Sequence, residues 1–340
     1  MRKSCHKYKI NRFKNLLIIV LGYNELMEEG TEVIKSNTEK KTDSNELFIV
    51  LGINQNHEMD WLKDKTGQYA EVGKRSFDNI RRFITNFSRY LQAEKGLSEQ
   101  EAQETISNEV ARIKDGVFLT YNLTPKAAVR VSQVGSVIPA VALTPEERKT
   151  WTRIGRQSEN YIARRKLIEK ELMYEGLPDS PPPISTILSS ANGRAEKLGG
   201  DQVYGDVFFI LDKNTLKRAV FTLGDSLNDG SIRGSKFGIA SESIDGVERA
   251  KQRQLIFQHA IIGEALLNLS YSDPKNPNIT RGALRYVEGL LYGGISIKDI
   301  LAVKAPFYPQ FPDGGPSAIS KREKEMLETA FGNKFQTTQP

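Results

Sequence analysis

A single cysteine, Cys5, in a chain of 340 residues rules out any intrachain disulfide framework. Histidine is nearly as scarce. His6, His57 and His259 lie far apart, and no Cys/His spacing suits zinc, so no structural metal is expected. Long apolar runs are missing too. LLIIVLGY, at residues 16–23, is too short to span a bilayer, so no transmembrane segment is expected. It follows a basic stretch carrying Arg2, Lys3, Lys7, Lys9, Arg12 and Lys14, an order that resembles the start of a signal peptide. No small-x-small cleavage site comes after it, and a short buried strand or helix is the preferred reading. The expected location is accordingly cytoplasmic, or secreted if that weak signal is read. Acidic residues are outnumbered, 42 against 48 lysines and arginines, which leaves a net charge of +6. Such a balance suits acidic partners, nucleotide phosphates or an anionic surface, and it also suits a protein with none of these.

What is present fits a globular chain, with 39% hydrophobic and 26% charged residues. Residues 1–46 hold the basic segment and a polar linker, EEGTEVIKSNTEKKTDSNE, with little apolar periodicity. LFIVLGI (47–53) is a strand candidate, and helical patterns follow. Phe77, Ile80, Phe83, Ile84, Phe87 and Leu91 recur at helical spacing. Ser98 and Glu101 make a capping box for a helix running to about Lys114. Thr144, Pro145 and Glu147 open another, expected to reach about Tyr174. That helix carries Arg148, Lys149, Arg153, Arg156, Arg164, Arg165 and Lys166, and a basic helix could touch nucleic acid. Its interspersed glutamates favour a solvated, salt-bridged face instead, so nucleic acid is not indicated. The prolines of EGLPDSPPPI (175–184) stop the helix and mark the expected boundary. The organisation expected is a mainly helical region at 47–183 for partner or substrate binding, a β-rich domain at 184–320, and a C-terminal helix and tail at 321–340. The fold class is α+β.

In the C-terminal half, VYGDVFFILD (203–212) is apolar on both faces, as a central covered strand would be. Gly205 at its start permits close approach of another backbone or a ligand. KRAVFTLGD is a second strand, and residues 247–269 read as one helix that places His259 on a largely apolar stripe, where a satisfied core histidine is expected. In RYVEGLLYGGIS, one carboxylate, Glu288, alternates among apolar residues before a glycine turn. Taken alone, Glu288 reads either as an edge-strand charge that blocks aggregation or as an electrostatic partner for a cation in a cleft.

Phe221–Gly230, FTLGDSLNDG, contains the tetrad that gives the GDSL serine esterases their name, with Ser226 as the nucleophile. A serine hydrolase also needs a histidine base oriented by a carboxylate. No D-x-x-H occurs in the chain, and the histidine downstream of Ser226, His259, falls inside a predicted helix. The esterase is therefore the lesser reading.

Three pieces read together point elsewhere: SSANGRAEKLGG (189–200), VYGDVFFILDKNTLKRAVFTLGDSLND (203–229) and ALRYVEGLLYGGISIKDILAV (283–303). Their order resembles bacterial domains related to the ADP-ribosyltransferase superfamily. There, a YG strand and an R-x-x-F-T-x-G-D-S strand precede a late Y-[VI]-E strand followed by GG[IV]S. The resemblance implies a split-sheet domain and NAD as substrate without a metal. It also implies transfer of ADP-ribose to a protein or other macromolecular acceptor, as a bacterial effector or toxin would carry out, or NAD glycohydrolysis. On this resemblance Glu288 matches the catalytic glutamate, and Tyr204 and Gly205 lie near the nicotinamide ribose. Ser189, Ser190 and Arg194 contact the pyrophosphate, and Thr222, Asp225 and Ser226 line the NAD cleft. Two departures stand out. Tyr286 occupies the first position of the E-x-E found in arginine-specific members, so that subtype is not indicated. PISTILSS lacks the arginine or histidine that most members place on the first strand. A non-enzymatic interaction protein on the same fold is the alternative.

Overall fold

Alternation of side chains across strands, and an apolar stripe on each of several helices, bury two cores on opposite faces of one sheet. The computed structural model describes residues 69–151, 159–173, 182–190, 205–224, 226–227, 246–271, 286–310, 312–314 and 318–338. The described residues all belong to one compact unit, Asp43–Pro340. The strand candidate at 47–53 lies outside them.

The helices are α1 (Tyr69–Lys95), α2 (Glu99–Ile113), α3 (Pro125–Val134), α4 (Pro145–Trp151), α5 (Glu159–Met173), α6 (Gly246–Lys251), α7 (Phe257–Tyr271) and α8 (Lys321–Phe331). The strands are β1 (Val117–Leu123), β2 (Ser136–Val137), β3 (Ile184–Ser190), β4 (Val207–Leu211) and β5 (Ala219–Leu223). They continue with β6 (Gln254–Leu255), β7 (Val287–Leu291), β8 (Ile295–Ser296), β9 (Ile300–Pro306) and β10 (Phe335–Thr338). Eight of the strands form one mixed sheet in the order β10-β9-β4-β1-β3-β7-β5-β6, parallel between β10 and β9 and antiparallel elsewhere. The α+β class expected from the sequence is the class observed, with helices ahead of the sheet in the chain.

The expected boundary near residue 184 does not divide the sheet. β1, from the region expected to be mainly helical, lies between β4 and β3 near the middle of the order. The tail after α8 is also part of it, since β10 adds the outermost strand. The helix expected over 247–269 is interrupted. Between α6 and α7, Gln254 and Leu255 pair with Thr222 and Phe221 as an edge strand. The buried Arg253 donates to the Leu223 carbonyl and accepts the Leu223 N–H on its own carbonyl, and these bonds replace helical ones.

On one face of the sheet, Leu119, Leu188, Phe209, Phe221, Leu223 and Val303 meet the apolar stripes of α1, α2, α3, α7 and α8 in the larger core. Ser98 caps α2 in the expected capping box, and Thr124 with Pro125 starts α3. His259 is buried in α7, and its Nδ1 lies 2.6 Å from Ser76 Oγ. The same oxygen accepts the Ile256 N–H at the start of α7, so Ser76 caps one helix from another and fixes the imidazole.

On the other face, α5 and α6 cover a smaller core in which Ile168 and Leu172 meet Val220, Ala250, Leu290 and Tyr292. This face also carries polar groups. Thr222, Glu288, Ile187, Thr120 and Ile210 form a row straight across five strands. Ser185 and Ser189 flank Ile187 on β3 and share its side of the sheet.

Candidate functional site

Strand alternation and one glycine turn build the site. In β7, Glu288 and Leu290 point to the smaller face while Val287 and Leu291 point to the larger core. β7 lies between β3 and β5, and Glu288 is fully buried. The edge-strand reading of that carboxylate is therefore overturned: both edges of β7 are paired, and solvent does not reach the side chain.

Gly224 ends β5 with φ of 80°, a conformation open to glycine at little cost. Its N–H still bonds to the Tyr286 carbonyl, at 2.8 Å. The chain then turns over the sheet, so that the Ser226 N–H donates to Glu288 Oε2 at 2.7 Å. Ser226 therefore holds a carboxylate through its backbone. Ser226 itself is buried, and its hydroxyl accepts from Arg165 Nη1 at 3.0 Å.

Arg165 comes from α5. Its Nη2 donates to Glu288 Oε1 at 2.9 Å, and the Ser185 hydroxyl donates to the same oxygen at 2.5 Å. Its Nε lies 3.6 Å from Glu169 Oε1, one turn along the helix, and its guanidinium carbon sits 5.9 Å from the centre of the Tyr161 ring. One guanidinium thus spans two carboxylates and a hydroxyl, and all of these groups are buried or nearly so.

The two carboxylates differ in protonation. Burial pushes Glu288 up, but Arg165, the Ser185 hydroxyl and the Ser226 contacts outweigh it and hold the group below the usual carboxylate range. Burial also pushes Glu169 up, Arg165 only partly offsets this, and the charge of Glu288 adds to the rise. Glu169 is raised to about 7. Beside this cluster a cleft opens at the end of β1 and the start of β3, with about 20 Å³ of space, enough for about one water molecule. Tyr121, Tyr161, the Pro139–Val141 segment and Pro183 line it together with Arg165, Glu169 and Ser185.

The residues singled out from the sequence fall into three groups. Glu288 and Ser226 touch, and Thr222 faces Glu288 across the ladder, its hydroxyl bonded to the Gly224 carbonyl at 2.9 Å. Ser189 lies on the same face but bonds to Thr120, with 3.2 Å between the hydroxyl oxygens; Ser190 is turned to the other face. Gly205 lies away from this cluster. Its close approach is to backbone, because a Cβ there would fall 2.1 Å from the Leu123 carbonyl oxygen. Arg194, Tyr204 and Asp225 lie outside the described residues.

Sequence reasoning missed Arg165, Glu169, Ser185, Tyr121 and Tyr161. The expectation of a solvated face on the helix after Thr144 fails at Arg148, Arg165 and Glu169, all of them buried. A signal was available: Tyr161, Arg165, Ile168, Glu169 and Leu172 form one stripe at helical spacing, with two opposite charges among the apolar positions. Among the described residues, no group of three or more His, Cys, Asp and Glu side chains is placed to hold a metal ion. No described helix is long and apolar enough to cross a membrane. No family model matches the chain, and no curated protein matches it either.

Proposed function

We propose that this chain is an NAD-consuming, ADP-ribosyltransferase-like protein that uses Glu288 to transfer ADP-ribose to a macromolecular acceptor, as an effector or toxin does, or to water. The observation that carries this reading is Glu288 itself: an ionised carboxylate fixed on an interior strand of the sheet by the Ser226 N–H and the Ser185 hydroxyl, next to a cleft. Fixed negative charge favours a transition state in which positive charge develops, as on a ribosyl carbon when nicotinamide departs. The cleft offers tyrosine rings and hydroxyl and guanidinium donors, groups suited to the nicotinamide-ribose end of NAD, and its space of about 20 Å³ has to widen for that end to enter. Arg165 holds Oε1, so a ribose hydroxyl reaches the carboxylate only when Arg165 lets go. A guanidinium released in this way is well shaped for phosphate oxygens.

One observation favours a second reading. Glu288 is entirely buried, and both its oxygens are engaged within the chain, as expected of a binding module on the same fold that catalyses nothing. The esterase reading has no comparable support, since Ser226 meets Arg165 and Glu288 while His259 bonds to Ser76.

The test is nicotinamide release from NAD by wild type and by Glu288→Gln, with circular dichroism to confirm that the variant folds. A loss of about 100-fold or more is expected, the scale of removing one transition-state electrostatic contact. Equal release by a folded variant would overturn the assignment.

A further inference from the structure

Glu169 has no part in the reading above, yet it lines the cleft and shares Arg165 with Glu288. We infer that Glu169 is the proton acceptor for a hydroxyl nucleophile, water or an alcohol, in the transfer reaction at Glu288. The inference rests on that reading of Glu288.

The geometry supports both parts of the statement. Glu169 Oε1 lies 3.6 Å from Arg165 Nε, on the cleft side of the cluster, while Glu288 is covered by Arg165 and Ser185. The two carboxylates therefore occupy different positions, one at the cleft wall and one behind it. Arg165 brings its positive charge beside both carboxylates, with Nε near Glu169 and Nη2 on Glu288, so a guanidinium acceptor would meet a like charge there. A neutral hydroxyl meets no such repulsion.

Protonation agrees with the geometry. A carboxylate raised to about 7 is close to the value at which a general base works best near neutrality. Pairs of carboxylates whose environments drive them apart divide acid–base and electrostatic roles in this way. Among the described residues, the charged groups that act on Glu169 are Arg165 and Lys166 from its own helix and Glu288 from β7, and Tyr121 of β1 lines the same cleft. Tyr161 lies on the same helix and lines the cleft, and α6 turns its Lys251 to Glu171, 3.2 Å away.

The step balances. As the hydroxyl oxygen bonds to the ribosyl carbon, its proton passes to the Glu169 carboxylate. The bond from that carbon to the nicotinamide nitrogen breaks, and the electron pair leaves with nicotinamide. Glu169 then returns the proton to solvent, so one proton is released per turnover.

The experiment compares wild type, Glu169→Gln and Glu169→Asp for nicotinamide release across pH 5.5–9 at saturating NAD, with methanol or agmatine present as acceptor. Gln has the shape of the neutral acid, so the fold is retained, and circular dichroism verifies it. Wild-type release should rise through an inflection near 7. Glu169→Gln should lose that inflection and fall by about 100-fold, while Glu169→Asp keeps the inflection at a reduced rate. Methanol should yield a methyl ADP-riboside, and agmatine no adduct. A Glu288-dependent wild-type activity whose pH profile is unchanged in Glu169→Gln overturns the role of Glu169 and leaves the reading of Glu288 standing. An agmatine adduct overturns the hydroxyl acceptor. No release by wild type overturns both readings together.

Discussion

The two faces of the sheet are built from the same strands and put to opposite uses. One face meets five helices through aliphatic and aromatic side chains, with Phe209 and Phe331 packed edge to face at a centroid distance of 5.5 Å. The other face meets α5 and α6 and buries Glu288, Arg165, Glu169 and Ser226, with Ser185 half-buried next to them, beside a small apolar core. A core of the first kind is held by area and packing. The second contains a charge pair that offsets its own desolvation only while every partner is in place. Apolar packing and buried charge thus occupy opposite sides of a single sheet, and the charged cluster borders the cleft.

Breaking each face should give a different signature. The largest loss is expected for Phe209→Ala, about 4 kcal/mol in urea unfolding, because a fully buried ring leaves a cavity. Nicotinamide release by the remaining folded fraction should not change, since Phe209 points away from the cleft. Glu288→Leu should cost about 3 kcal/mol by leaving Arg165 buried without its partner. Adding Arg165→Leu should recover most of that loss without restoring activity. If the double variant is no more stable than Glu288→Leu, the pair is not the source of the loss.

A smaller effect appears in the dependence on pH. Glu169 ionises near 4.5 when unfolded and near 7 when folded. Between those values the folded chain keeps a proton that the unfolded chain has lost, so stability falls as pH rises and levels off above about 7. Glu288, held below its ordinary value, works in the other direction: its contribution is present above about 4.5 and is lost as pH falls below that. Unfolding free energies at pH 5 and pH 8 should therefore differ by about 2 kcal/mol more in wild type than in Glu169→Gln. Parallel behaviour of the two proteins would remove Glu169 from the titrating cluster.

Much of this architecture was legible in the sequence where one local signal dominated. The stripe of α1, the capping box of α2, the strands β4, β5 and β7 and the turn at Gly293 and Gly294 all rest on spacing or on a residue with one conformational use. Glu288 was picked out because it is one charge in an apolar strand. What escaped notice depended on tertiary partners. β1 was hidden between helical patterns, although Val117, Leu119, Tyr121 and Leu123 alternate, because nothing local says that a strand seventy residues upstream will pair with β3 and β4. Arg165 and Glu169 read as solvent charges because their burial depends on Glu288, more than a hundred residues away, and only the folded chain brings the three together. The break between α6 and α7 was invisible for the same reason: the partner of Arg253 is the carbonyl of Leu223 on another strand.

The measurement that tests the central claim most directly is nicotinamide release from NAD by the purified full chain, with Glu288→Gln as its control. The expected result is release by wild type and a loss of about 100-fold or more in a folded Glu288→Gln protein. Equal release by both proteins, or none by wild type, would contradict the claim and leave Glu288 and Arg165 as a buried pair that only holds the sheet and α5 together.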